Sequence, residues 1–291
     1  MLFSGYIAAA HATTFWQFVL AHAVLIGLIG SSATFSPLLA DISLWFTKRR
    51  GIAVALVASG NYLSGALWPP LLQYTIDEFG WRQAYIGIAF ICLITILPLS
   101  FFLKRRPPLK MQTHQDLTTN NLPSITPPLA PANAQILLVI AGLSCCIAMS
   151  MPQVHLVAYC GDLGFGAQRG AEMLSVMLAL GIISRLVSGI IADRIGGLRT
   201  LLLGSGLQGL ALLLYLPFDG LISLYLVSGI FGLAQGGIVP SYALVVRDFY
   251  PADQAATRIS LVFTSTLLGM AIGGWGSGEI FDFTGSYQAA F

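Results

Sequence analysis

The chain has 291 residues, of which 56% are hydrophobic and only 9% charged, against about 25% charged in a soluble domain. So few charges cannot clothe a soluble globule or a nucleic-acid-binding surface, which leaves an all-α polytopic membrane protein. The net charge of +2 decides little; the placement of the charges decides more.

A helix needs about 20 apolar residues to cross the hydrocarbon core. Eight full spans are predicted, at 16–40, 52–76, 83–103, 135–158, 170–192, 200–217, 221–246 and 257–281, with residues 1–13 reading as the end of a ninth. Met1 opens directly into an apolar, small-residue run, so no cleavable signal peptide is expected. Pro37, Pro69, Pro70, Pro152 and Pro240 fall inside these spans; in water they would break a helix, but in a bundle neighbouring helices re-satisfy the freed backbone groups. Lys104-Arg105-Arg106-Pro107-Pro108 starts a polar, Pro- and Thr-rich stretch without apolar periodicity, a linker over 104–134. It divides the chain into blocks 1–103 and 135–291. Cys92, Cys145, Cys146 and Cys160 form no Cys-x-x-Cys pair and read as small buried hydrophobes; no metal and no cofactor is expected.

With 41–51, 104–134, 193–199, 247–256 and Arg258 on one side of the membrane, that side collects eleven of the fourteen basic residues. Arg82 and Arg169 fall on the other side, and Arg185 lies within a span. The positive-inside rule makes the first side, with the linker, cytoplasmic, in the cell (inner or plasma) membrane.

Sliding the chain by 205 residues places Gly27-Leu28 on Gly232-Leu233 and Leu63 on Leu268. It also places Asp77, Gly80 and Gln83-Ala84 on Asp282, Gly285 and Gln288-Ala289. Two copies of one unit in the same orientation imply two helical bundles related by a pseudo-two-fold axis along the membrane normal, with a site near the midplane.

Polar residues within the apolar runs are the candidate site. Arg185 sits mid-span, about 12 Å before Asp193 along a helix. Insertion scales charge about 2.5–3.5 kcal/mol for arginine at a span centre. It is either an anchor that grips a carboxylate bidentately or a side chain that snorkels to the surface or closes a structural ion pair. Glu172, near the outer end of the same span, is about 20 Å away and reads as a solvated or capping residue. Gln153, His155, Tyr159 and Asp162 cluster at the outer end of 135–158. There His155 can titrate near neutral pH or serve as a hydrogen-bonded structural residue. Asn61 and Tyr62 in 52–76, and Gln235 in 221–246, either line a cavity or join helices by hydrogen bonds. Gly204-Ser205-Gly206-Leu207-Gln208-Gly209 fits a dinucleotide fingerprint in letters, but it lies inside an apolar helix with no strand before it.

The segment Gly189-Ile190-Ile191-Ala192-Asp193-Arg194-Ile195-Gly196-Gly197-Leu198-Arg199 concentrates charge and turn glycines between two apolar runs. It resembles the cytoplasmic loop signature of the major facilitator superfamily of transporters. Trp45-Phe46-Thr47-Lys48-Arg49-Arg50-Gly51, Gly80-Trp81-Arg82-Gln83-Ala84 and Gly269-Met270-Ala271-Ile272-Gly273-Gly274-Trp275 resemble the monocarboxylate-transporter-like and oxalate/formate-antiporter-like branch. The resemblance implies a partial fold of that superfamily. Set against the family's twelve spans, the chain is expected to lack two to three at the start and the last at the end. It implies transport of a small solute, an organic mono- or dicarboxylate anion, by alternating access, with a co-transported proton or counter-anion. The alternative is a non-transporting fragment or a transporter-like membrane sensor. Partners are then the solute and the bilayer, and a membrane enzyme is not expected.

The same resemblance gives Gly189, Asp193, Arg194, Gly196 and Arg199 to a gating loop. There Asp193 ends the helix, Gly196 and Gly197 make the turn, and Arg194 and Arg199 hold the loop at the anionic leaflet. It also matches Arg185 to an arginine four residues before a glycine, here Gly189. Relatives carry an acidic residue one turn before that arginine, linked to proton coupling; here that position is Gly181.

Overall fold

Apolar runs of this length fold as helices because no other open structure satisfies its backbone in lipid. The computed structural model describes residues 1–31, 38, 50–102, 130–250 and 252–290, and these residues are helical, with no strand among them. Pro37, residues 45–49 and residues 104–129, which carry part of the sequence reading, lie outside the described residues. The helices are α1 (Leu2–Ala10), α2 (Phe15–Leu20), a π-helix (Ala21–Ser31) continuing it, α3 (Arg50–Phe79), α4 (Trp81–Phe102), α5 (Pro131–Asp162), α6 (Ala167–Ile195), α7 (Gly197–Leu213), α8 (Leu221–Gln235), α9 (Ile238–Phe249), α10 (Ala252–Thr284) and a closing 3-10 turn (Tyr287–Ala289). Among the described residues five segments are long and apolar enough to cross a membrane: Trp81–Phe101, Pro131–Asp162, Ala167–Ile195, Leu221–Phe249 and Thr257–Thr284. Phe15–Gly30 and Gly197–Leu213 are shorter apolar helices; the far end of the 16–40 run lies largely outside the described residues.

The chain forms two compact units: Met1–Ala58 with Pro70–Met111, and Ser59–Pro69 with Gln112–Phe291. In the first, Thr14 caps α2 through the Gln17 amide, and Gln17 answers to the Thr14 backbone, a reciprocal box that satisfies two orphan donors. Aromatic rings then tie the helices. Phe3 meets Phe90 at 5.7 Å and Tyr6 meets Tyr85 at 5.9 Å. His22 Nε2 lies 3.1 Å from the Tyr85 hydroxyl. Arg82 stacks on Trp81 at 4.4 Å and donates to the Ala12 carbonyl at 3.3 Å.

In the second unit the contacts are set by glycines. On α10, a Cβ at Gly269 would overlap the Leu143 carbonyl oxygen, and one at Gly273 would overlap the Ile147 carbonyl oxygen and the Ser150 hydroxyl. Backbone therefore meets backbone along α5 and α10. On α8, Gly232 and the following Gly236 meet Met177, Gly181 and Ser184 of α6 in the same way. Close approach of small residues is how helices associate where no hydrophobic force drives them together in lipid.

The run at 204–209 is confirmed as helix interior, within α7. Gly204 touches Ile238, whereas Gly206 and Gly209 face open space, so no cradle is formed. Gly206→Ala and Gly209→Ala are expected to leave the melting midpoint unchanged or raise it, because alanine gains up to about 1 kcal/mol over glycine in a helix. A thermal melt in detergent checks this.

Two positions paired by the 205-residue shift share local geometry. Gly80 (φ +81°) and Gly285 (φ +66°) each end a long helix in the left-handed region that favours glycine. Their amides close on Ile76 and Phe281 at 2.9 and 2.7 Å.

The stretch 189–199 is not a loop. α6 runs through Asp193 and Arg194 to Ile195, and α7 starts at Gly197. Asp193 does not end the helix, and Gly189 sits well inside it. Gly196 alone makes the turn, at φ +90°. Gly197 serves close approach instead, since a Cβ there would lie 3.0 Å from Leu244 Cβ and from the Val245 amide nitrogen. Asp193, Arg194 and Arg199 are exposed around this turn.

Candidate functional site

Arg185 lies ten residues before the end of α6, about 15 Å along the axis. It is only 4% exposed. Its Nε donates to the Gly236 carbonyl, at the break between α8 and α9, at 3.0 Å. Its guanidinium lies 4.0 Å from the centre of the Tyr62 ring. A cation over an aromatic face is attracted by the ring quadrupole, more so when desolvated. One N–H on a fixed carbonyl and the guanidinium carbon over a ring together hold the position of the guanidinium.

Tyr62 reaches this place because residue 181 has no side chain. A Cβ on Gly181 would come within 2.6 Å of two Tyr62 ring carbons. The position at which relatives were expected to carry a carboxylate is therefore filled by an aromatic ring. Tyr62 is buried, while Asn61, its neighbour on α3, is exposed. Of that expected pair only Tyr62 joins Arg185.

Gln235, the last residue of α8, is fully buried. Its side-chain carbonyl accepts from Gln153 Nε2 of α5 at 2.8 Å. Its own Nε2 is buried without a hydrogen-bond partner, a donor whose desolvation costs about 1–3 kcal/mol when unmet. Gln235 is adjacent to Gly236, so the glutamine pair and the guanidinium are fastened to the same turn.

His155 and Tyr159 join a different group. His155 Nε2 lies 2.7 Å from the Gly274 carbonyl, which can only accept, so that nitrogen carries a proton. The other nitrogen, Nδ1, lies 3.1 Å from the Tyr287 hydroxyl. Burial, with Asp162 and Asp282 nearby, pushes the Tyr287 phenol above its ordinary value. Tyr159 packs edge-on to Tyr287 at 5.7 Å. This group ties α5, α10 and the closing turn together. Glu172 pairs with Arg169 at 2.9 Å and accepts from the Tyr225 hydroxyl of α8 at 2.5 Å, so its contacts tie the start of α6 to α8.

Two contributors escaped the sequence reading: the Gly236 carbonyl, which as backbone carries no letter of its own, and Tyr287, which lies 132 residues from His155. Gly236-Gly237-x-x-Pro240 in an apolar run was the available signal for the first. Among the described residues no group of three or more His, Cys, Asp or Glu is placed to hold a metal ion.

The model of the family described as Major Facilitator Superfamily matches residues 1–289. The chain is 27% identical over 295 residues to "Monocarboxylate transporter 13" of Bos taurus, covering 99% of this chain and 66% of the relative. It is 26% identical over 325 residues to "Monocarboxylate transporter 12" of Xenopus laevis, covering 99% and 67%. It is 25% identical over 271 residues to "Agnestins efflux protein AgnL12" of Paecilomyces divaricatus, covering 92% and 60%. The chain thus spans about two thirds or less of the length of these relatives.

Proposed function

The chain belongs to the major facilitator superfamily, and from that premise we propose that it binds a small organic anion at Arg185 and moves it across a membrane by alternating access, as a secondary transporter. The observation that carries this reading is a buried guanidinium fixed by the Gly236 carbonyl and the Tyr62 ring. A planar fork held in this way suits a carboxylate better than a neutral solute. The relatives named as monocarboxylate transporters support the same class. Tyr62 and the Gln153–Gln235 pair shape the rest of the site, and the Gln235 Nε2 supplies a second donor.

Coupling follows from Gly181. With the Tyr62 ring where a carboxylate would stand, this pair does not relay a proton, and we assign the driving partner to a counter-anion. From the distribution of basic residues we assign the 104–134 linker and the turn at Gly196 to the cytoplasmic side of the cell membrane.

The test is uptake by the purified protein in proteoliposomes, across formate, acetate, lactate, pyruvate, oxalate and succinate, with lactamide as a neutral control. Saturable uptake of at least one carboxylate, stimulated by internal carboxylate and absent for lactamide, is expected. No saturable carboxylate uptake, or equal uptake of lactamide, overturns the reading. Gly181→Asp is expected to weaken carboxylate affinity about tenfold, because its side chain displaces the Tyr62 ring and offers Arg185 a competing anion.

A further inference from the structure

Pro240 has no amide hydrogen, so the bond that residue 240 would send back to the carbonyl four residues earlier cannot form. That carbonyl belongs to Gly236. Gly236 (φ −57°, ψ −34°) and Gly237 (φ −89°, ψ −7°) keep right-handed helical angles, so Leu221–Phe249 remains one apolar crossing with an interrupted ladder. The ladder resumes one residue on. Ser241 returns to the Gly237 carbonyl through its amide at 3.3 Å and its hydroxyl at 2.7 Å. Between these points, the Gly236 oxygen accepts from Arg185 Nε.

Gly236 also lets α6 come close enough for this. A Cβ there would overlap the Gly181 carbonyl oxygen and lie 2.8 Å from Ser184 Cβ. The glycine brings the helices together, and the proline four residues later removes the amide that would compete for the carbonyl.

We propose that Pro240 is the positioning residue of the anion site: by removing its amide it gives Arg185 Nε a backbone acceptor, and this anchor aims the guanidinium's two terminal nitrogens. The inference rests on the reading of Arg185 as the anion-binding group. Pro240 itself touches no solute. Its effect runs wholly through Arg185, and so depends on what occupies position 185.

The experiment compares wild type, Pro240→Ala, Arg185→Gln and the double variant in proteoliposomes, using whichever carboxylate of the six is taken up with the lowest half-saturation. Alanine restores the amide and recaptures the Gly236 carbonyl. Pro240→Ala is expected to raise the half-saturation concentration about tenfold, the loss of one charge-assisted hydrogen bond, with the maximal rate little changed. In the Arg185→Gln background the same substitution is expected to add nothing. A second readout is the Arg185 Nε–H resonance in bilayers, identified by its disappearance in Arg185→Gln, which is expected to shift in Pro240→Ala. An unchanged half-saturation and resonance in Pro240→Ala, or equal weakening with and without Arg185, overturns the inference and leaves the anion site standing. Unchanged affinity in Arg185→Gln overturns the anion site, and the inference with it.

Discussion

Arg185→Gln is expected to weaken carboxylate binding about a hundredfold while the protein still folds. Glutamine keeps a polar side chain that can reach toward the Gly236 carbonyl, so the turn between α8 and α9 keeps a donor. What disappears is the charge and the fork. Two charge-assisted hydrogen bonds at about 1.5 kcal/mol each amount to two decades of affinity. Arg185→Lys separates these contributions. An ammonium keeps the charge but cannot donate through Nε to Gly236 while presenting a planar edge to the solute. It should fall between wild type and glutamine, with the loss mainly in affinity. Binding measured by scintillation proximity on the six carboxylates checks both variants, and melting curves show whether each is folded. Equal affinity in wild type and Arg185→Gln would mean that the buried guanidinium serves packing only.

Gly232→Ala is expected to cost the most stability of any single methyl group in the second unit. An alanine Cβ would overlap the Met177 carbonyl oxygen and lie 2.8 Å from its carbon. The obstacle is the backbone of α6, not the flexible tip of a side chain, so α6 and α8 must separate. Overpacking of this kind costs typically 1–3 kcal/mol. Separation would also draw Gly236 away from Arg185, so affinity should fall together with stability. A melting midpoint lower by several degrees, against no loss for Gly206→Ala, is the expected result. An unaltered midpoint would show that the α6–α8 contact is looser than its geometry implies.

Features that one residue or one period carries were legible in the amino-acid sequence. Arg185 was legible because a charge in an apolar run has few innocent explanations. The two helix ends at Gly80 and Gly285 were legible because Asp77-x-x-Gly80 and Asp282-x-x-Gly285 share their letters, and both glycines adopt positive φ. Features that depend on a partner were out of reach. Asn61 and Tyr62 are adjacent, and nothing local says which faces Arg185; that is decided by the bare Gly181 on another helix. The break at 236–237 hides in the hydropathy of 221–249, because glycine and proline there interrupt hydrogen bonds without adding charge. His155 finds Gly274 and Tyr287 more than a hundred residues away. The segment 189–199 misled for a local reason. Its charges mark a surface, but charged residues near a helix end do not stop the helix, and the one residue that does is Gly196.

The central claim is a direct contact between a carboxylate and Arg185, and dipolar recoupling in bilayers measures that contact. The protein would carry ¹⁵N-labelled arginine, and each of the six carboxylates would be labelled with ¹³C at the carboxyl carbon. A bidentate pair places the carboxyl carbon about 4 Å from the terminal guanidinium nitrogens. For the carboxylate that binds, dephasing at about that distance in wild type, lost in Arg185→Gln, is the predicted result. Dephasing that survives in Arg185→Gln, or binding without any dephasing in wild type, would contradict it.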